Sequence, residues 1–432
     1  MTAASRGAPH LADDGEEFAR RHVRHNVVAL GADFGLFLVG LSFASQATIL
    51  PAFAAHLGAS NLVIGAIPAL MTLGWNLPSL FAAGYTESLA RKLPFILRYT
   101  IWERLPFLVL AAVAFLVARS APALALGLML AMLLLITSAG GVLMPAWMDV
   151  VARAVPLGVR GRFFAVSSLL GGLGGLLGSL VTAWILARRP APDGYGVCFL
   201  LAALFMALSY VALARVREPR ATGTPEAPPL RAYLRRAGRV LREDRNLAWF
   251  LLSRGLWFVG TMATGFYTVH AMRVCAAPEW AVGVFTTTLL AGQIAGNLVL
   301  GALADRSGHL VPLYIGAAAL ALANMAALAA RSLEVFALVF VLQGVQLAAA
   351  SISGLNVLLE FAPAPAARPT YVGLGTTLLT PVASGAPLLA GLMADVLGFP
   401  AVFAAAALGA LAALLLLVGR VHEPRRRLPG AS

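Results

Sequence analysis

Residues 215–246 read RVREPRATGTPEAPPLRAYLRRAGRVLREDRN, a basic, proline-rich stretch that decides how everything around it is parsed. It is the one long polar interruption between the tails of a 432-residue chain that is 60% apolar and 12% charged, with a mean hydropathy of +0.84. An ordinary soluble domain carries roughly twice that share of charge. The composition therefore excludes the soluble classes. The formal charge of +13 does not mark a nucleic-acid binder, because the basic residues fill short gaps between apolar runs.

Crossing a bilayer takes roughly 20 apolar residues. Runs of that order precede the stretch at 27–54, 62–86, 94–118, 121–148, 162–187 and 195–214. Others follow it at 247–272, 280–304, 310–330, 333–360, 370–394 and 399–419. The pattern predicts an all-α membrane protein with twelve transmembrane helices in two six-helix bundles, 27–214 and 247–419. Residues 1–26 and 420–432 are then tails, and 215–246 is a basic linker. The first run is too long for a signal-peptide core and lacks a convincing cleavage site, so it is expected to remain as a membrane helix.

Basic residues set the orientation. Only Arg119, Arg188, Arg189, Arg273 and Arg331 fall on one side of the predicted membrane. Arg104 and Arg254 fall within spans, and every other Lys or Arg lies on the side of the tails and linker. The positive-inside rule makes both termini cytoplasmic in a multi-pass protein of the cytoplasmic (inner) membrane. Within the linker, Leu230, Tyr233, Leu234, Ala237, Val240 and Leu241 recur at helical spacing among arginines. That suits either a helix lying on the anionic leaflet or a plain positive-inside anchor. Cys198 and Cys275, the only cysteines, fall near the opposite side, where they could bridge the halves or pack as small apolar groups.

The halves resemble each other. At one constant offset Asn26 matches Asn246, Gly35 matches Gly255, Val39 matches Val259 and Gly40 matches Gly260. Slightly shorter offsets match Glu87 with Asp305, Pro94 with Pro312 and Arg160 with Arg368. Both halves begin on the same side, so they are parallel repeats, pseudo-symmetric about an axis along the membrane normal. The loop after the eighth span reads GALADRSGH, with Gly301, Asp305, Arg306 and Gly308. The loop after the second reads GYTESLARK, with Gly84, Glu87 and Arg91. Together with twelve spans in two halves, this resembles the major facilitator superfamily, whose motif runs Gly, three residues, Asp-Arg, one residue, Gly, then basic residues. His309 stands where a basic residue is usual, and the first copy lacks its second glycine. PAWMDVVARAVPLGVRGRFF (145–164) and RKLPFILRYTIWERLP (91–106) also look like a poorly characterised bacterial subgroup of that superfamily.

Enzyme signatures are missing from the sequence. Lys92 is the only lysine, with no Gly-Lys-Ser/Thr, no Gly-x-Ser-x-Gly and no His-Glu-x-x-His. No enzymatic activity, cofactor or metal is expected. Charges inside a bilayer are costly and usually functional. Asp33 and Arg254 lie about two turns inside the first and seventh spans. Arg254 heads a stripe with Trp257, Thr261, Thr264 and Thr268, while Gln343, Gln346, Asn356 and Glu360 mark the tenth span. The resemblance implies that the first, fourth, seventh and tenth helices line the central cavity, so these stripes face a substrate. The threonines could equally be satisfied by backbone between packed helices. Arg254 could bind an anionic group of the substrate or pair with Asp33. Glu103 and Arg104 sit nearer a helix end and read as interfacial or structural.

The resemblance further implies a cytoplasmic gate in which Glu87, Arg91, Asp149 and Arg160 mirror Asp305, Arg306, Glu360 and Arg368, around Gly84, Gly301 and Gly308. The expectation is a secondary active transporter moving a small organic solute by alternating access, with Asp33 and Glu103 as candidate proton carriers. The expected partners are the solute, the lipid bilayer and a proton or other coupling ion, with no nucleic acid, for a monomeric chain. A non-transporting receptor or sensor on the same fold is the alternative.

Overall fold

The computed structural model describes residues 8–87, 89–219, 238–364 and 367–424, and among these there are helices and no strands. The first half comprises α1 (Ala8–Ser42), α2 (Ile49–His56), α3 (Asn61–Glu87), α4 (Leu93–Tyr99), α5 (Ile101–Leu116), α6 (Pro122–Ala154), α7 (Leu157–Arg188) and α8 (Asp193–Leu213). The second comprises α9 (Arg245–Thr261), α10 (Thr264–Val274), α11 (Trp280–Ser307), α12 (Leu310–Ala329), α13 (Leu333–Phe361), α14 (Arg368–Thr377), α15 (Thr380–Leu397) and α16 (Phe399–Arg420).

Eleven helical stretches among the described residues are long and apolar enough to cross a membrane. The stretch expected at 247–272 is instead divided at Met262–Ala263 into α9 and α10, of 17 and 11 residues, each shorter than a span. The first span breaks at the equivalent place, between α1 and α2. Helix α1 begins at Ala8, 19 residues ahead of the expected span and inside the expected tail, and the exposed Glu17–Arg21 pair lies one turn apart on this extension. Residues 220–237, with Leu230, Tyr233, Leu234 and Ala237 of the expected linker helix, lie outside the described residues. Both cysteines are free.

Lipid offers no hydrophobic force to drive helices together, so close packing through small residues does that work. The glycines of LLGGLGGLLGSL let α7 meet α1: a Cβ on Gly171 would lie 3.2 Å from the Gly35 Cα, and one on Gly174 would lie 2.6 Å from Val39. Helix α3 meets α6 in the same way, since a Cβ on Gly141 would lie 2.3 Å from the Trp75 carbonyl oxygen.

Two faces follow from this. At the terminal face α1 and α9 begin and α8 and α16 end; the far face is opposite. Hydrogen bonds join the halves at the far face. The break after α1 leaves the Ala47 carbonyl free to accept from the Thr268 hydroxyl at 3.0 Å. Thr48 and Thr286 share a 2.6 Å hydrogen bond, and Ser179 and Thr287 one of 2.8 Å. The Asp395 carboxylate accepts from the Asn61 and Leu62 amides at the start of α3, at 3.1 and 3.0 Å. Glycines bring the backbones together here too, as a Cβ on Gly65 would lie 2.2 Å from the Pro387 carbonyl oxygen. The apolar core is correspondingly one cluster at the far face, joining Phe53 and Phe199 to Phe266 and Phe285. Toward the terminal face it divides into one cluster per half.

Each half is also tied within itself by a duplicated clasp. The Asn26 side chain donates to the Arg217 carbonyl and accepts from the Arg217 amide, both at 3.0 Å. Asn246 does the same with His422, at 2.8 and 2.9 Å. The next residue in each case is a glutamate. Glu218 accepts from the Lys92 and Leu93 amides at 2.8 and 2.9 Å, and Glu423 accepts from the Leu310 amide at 3.3 Å. A carboxylate at a helix N-terminus is favourably placed against the exposed amides and dipole. Replacing Asn26 or Asn246 by Ala strands one backbone donor and one acceptor. Each substitution should lower stability by about 1–3 kcal/mol, read as an earlier melting transition in detergent. Unchanged melting in both would show that the clasp carries no stability.

Candidate functional site

Between the halves lies a cavity of about 530 Å³. The first half contributes Gln46 from the break after α1, Thr72, Trp75 and Asn76 from α3, and Thr137 from α6. The second contributes Phe250, Arg254 and Phe258 from α9, Gly354 from α13, Thr376 from α14 and Thr380 from α15. Arg254 is the one charged residue in this lining. It stands nine residues into α9, roughly 13 Å along the helix.

Its guanidinium lies 5.0 Å from the Trp257 ring centroid and 5.5 Å from that of Phe258, within cation–π range of both. Gly354 supplies the space opposite, since a Cβ there would come 3.4 Å from the Arg254 Nη2. Among the described residues Arg254 has no carboxylate partner, and its Nη1 is buried without a hydrogen bond. An arginine at such depth costs at least about 2.5 kcal/mol unless something answers its charge.

The expected alternative partner is engaged elsewhere. Asp33 accepts from Arg104 Nη2 at 2.9 Å, from Ser209 Oγ at 2.6 Å and from Trp147 Nε1 at 3.0 Å. Arg104 also contacts Glu103 at 3.2 Å and donates to Thr100. Glu103 and Arg104, expected to be interfacial or structural, are buried at 8% exposure each, as is Asp33 at 2%, which leaves the structural alternative. The turn at Thr100 explains this, because it ends α4 and restarts the helix with Glu103 and Arg104 on the inner face of α5. This cluster borders a second cavity of about 260 Å³ within the first half. Trp75 stands between the two cavities and lines both. Its ring lies over Gly140, where a Cβ would meet it at 2.5 Å.

The rest of the two polar stripes does not line the central cavity. Trp257 is buried, its ring 2.6 Å from where a Cβ on Gly316 would stand. Thr261 and Thr264 donate to carbonyls of Phe258 and Thr261, at 2.9 and 2.8 Å. Gln343 is buried and donates to Thr264 at 3.0 Å; Gln346 is buried, and the Oε1 atoms of both glutamines are without partners among the described residues. Asn356 is exposed and donates to the Ile352 carbonyl at 2.6 Å. Missing from the sequence reading were Gln46, Thr72, Asn76, Thr376 and Thr380. Polar residues four apart in an apolar run, Thr72 with Asn76 and Thr376 with Thr380, were the available signal.

At the terminal face the charges pair within their own halves. Asp149 is 2.5 Å from both Lys92 Nζ and Arg153 Nη2, so Lys92 rather than the exposed Arg91 bridges α4 to α6. Glu360 approaches His309 Nε2 at 3.8 Å, the corresponding link in the second half. Arg160 donates to the Ala152 carbonyl at 2.6 Å and covers the end of α6. Asp305, Arg306 and Arg368 are exposed, and Gly301 lies in α11 with open space around it. Gly308 has a positive φ of 88° and sits against the Glu423 carboxylate, where a Cβ would come within 2.6 Å. Only glycine fits that turn. Gly84 and Glu87 lie in the last turn of α3, and their side-chain surroundings fall outside the described residues.

The chain matches the model of the Major Facilitator Superfamily over residues 32–277 and 276–432. Similar solved structures include a mutant of the nucleoside transporter NupG (14% identity, TM-score 0.68, covering 90% of this chain and 99% of that one). A D-xylose–proton symporter is also similar (18%, 0.65, 92% and 98%). So is a bacterial homologue of the human lysosomal transporter Spinster in an inward-facing, unoccupied conformation (16%, 0.62, 93% and 95%). Among curated proteins none matches.

The buried cluster is testable without a substrate. Arg104→Gln leaves two buried carboxylates without a counter-charge and should cost about 3–5 kcal/mol of stability. Glu103→Gln preserves the Asp33–Arg104 pair and should cost far less in the same melting experiment. Equal losses would mean the guanidinium is not the hub of the cluster.

Proposed function

This chain belongs to the Major Facilitator Superfamily, and from that premise we propose that it is a secondary active transporter moving a small organic solute across the cytoplasmic membrane by alternating access. The observation that carries this reading is the cavity walled by both halves, beneath a far face where the halves are bonded and a terminal face where their cores part. In this reading the terminal face is cytoplasmic and the cavity is offered to the cell interior. In the opposite state the far-face hydrogen bonds break and the exposed Asp305, Arg306 and Arg368 close against the first half.

Coupling to protons fits the Asp33–Arg104–Glu103 cluster. Two carboxylates share one guanidinium, so a proton held on either carboxylate balances the charge of the buried group. Glu103→Gln should keep solute exchange in proteoliposomes and lose accumulation driven by a pH gradient. Accumulation at the parent level would remove the cluster from coupling.

Counterflow of labelled solute in proteoliposomes separates a transporter from a receptor, which binds without exchanging. Orientation is tested by single cysteines in a background lacking Cys198 and Cys275. Pro228→Cys and Gly430→Cys should resist an impermeant thiol reagent in intact cells, and Ala191→Cys should react. Reaction at 228 would invert the topology.

A further inference from the structure

We propose that the solute held in the central cavity is a small organic anion whose single acidic group, a carboxylate or phosphate, is bound by the guanidinium of Arg254. This rests on the transporter reading and specifies its substrate class.

Three independent observations converge. The first is charge: Arg254 is the only charged residue in the cavity lining, so a cationic solute would meet a like charge, whereas an anion would be answered. The second is availability. Asp33 is already held by Arg104, Ser209 and Trp147, and no other acid faces Arg254 among the described residues, so its buried Nη1 has an unspent donor. The third is presentation. Trp257 and Phe258 hold the guanidinium within cation–π range, and the absent side chain at Gly354 gives it room. A guanidinium held in this way can offer its N–H edge to two oxygens of a carboxylate or phosphate, for which its fork geometry is suited.

The rest of the lining describes the body of such a ligand. From the first half Gln46 and Asn76 offer amides and Trp75 an apolar face, and from the second Thr376 and Thr380 offer hydroxyl oxygens whose protons go to helix carbonyls. A volume of about 530 Å³ is within the range that takes a small organic molecule. The ligand is thus a small acid with polar substituents on an apolar frame. It is not a bare inorganic ion, which would leave most of these groups without contact.

Matched probes test the assignment by thermal shift of the purified full-length protein: gluconate with glucose, lactate with lactamide, benzoate with benzamide, and glycerol 3-phosphate with glycerol. At least one acid should raise the melting temperature while its neutral partner does not. Arg254→Gln should weaken that acid by roughly 10- to 100-fold, the range for a charge-assisted hydrogen bond. Arg254→Lys, which keeps the charge but loses the fork, should weaken it less, and unliganded Arg254→Lys should melt close to the parent. Stabilisation by a neutral partner equal to that of its acid, an acid response that survives in Arg254→Gln, or no response to any acid would overturn the proposal. Exchange in proteoliposomes separates the two levels of the argument. An acid that binds through Arg254 and is never exchanged would remove the transporter reading and leave the anion site standing.

Discussion

A charge inside an apolar helical bundle must be answered by another charge or by a dense set of dipoles, and the arrangement of this molecule follows from how it meets that demand. Asp33, Arg104 and Glu103 answer one another within the first half. Lys92 and Asp149 do so at its edge, and His309 and Glu360 stand in the corresponding place in the second half. Arg254 is different: it rests on two aromatic rings and faces the space between the halves. Internal pairing makes each half a self-contained unit. Arg254, without a carboxylate partner among the described residues, gives the space between them its chemical character.

The second constraint is backbone. Helices in lipid satisfy their own amides and carbonyls, so a break needs an outside partner. The break after α1 finds one across the molecular division, where Thr268 donates to the Ala47 carbonyl. The same break places Gln46 in the cavity wall. One local interruption therefore contributes both to the closure of the far face and to the wall of the cavity below it. The clasps of Asn26 and Asn246 work in the other direction, fastening the first and last spans within each half.

Helix content, membrane character and the division into two related halves were legible because they depend on run length and composition, which need no tertiary information. The pairing of Asp33 was not. It joins α1 to α5, and Arg104 seemed close to a helix end because nothing as conspicuous as glycine marks the turn at Thr100. The break at Met262–Ala263 likewise has neither glycine nor proline within it. The duplicated VREP and VHEP segments, 216–219 and 421–424, were present to be read. They escape a comparison at constant offset because the two halves differ in length between Asn26 and Glu218 and between Asn246 and Glu423. Polar stripes were visible as stripes, but periodicity does not say which neighbour a face meets. Helix α9 turns Phe250, Arg254 and Phe258 to the cavity and Trp257 to Gly316.

The central claim is that two rigid halves exchange closure between the faces around a cavity that holds the solute. Distances between paired spin labels test it directly, with one pair at the terminal face (Leu157→Cys with Ser307→Cys) and one at the far face (Ser60→Cys with Val396→Cys). Two distance populations are expected at each face, and a bound solute should shift them in opposite directions, shortening one pair as the other lengthens. A single distance at both faces, unchanged by any solute that binds, would contradict the account.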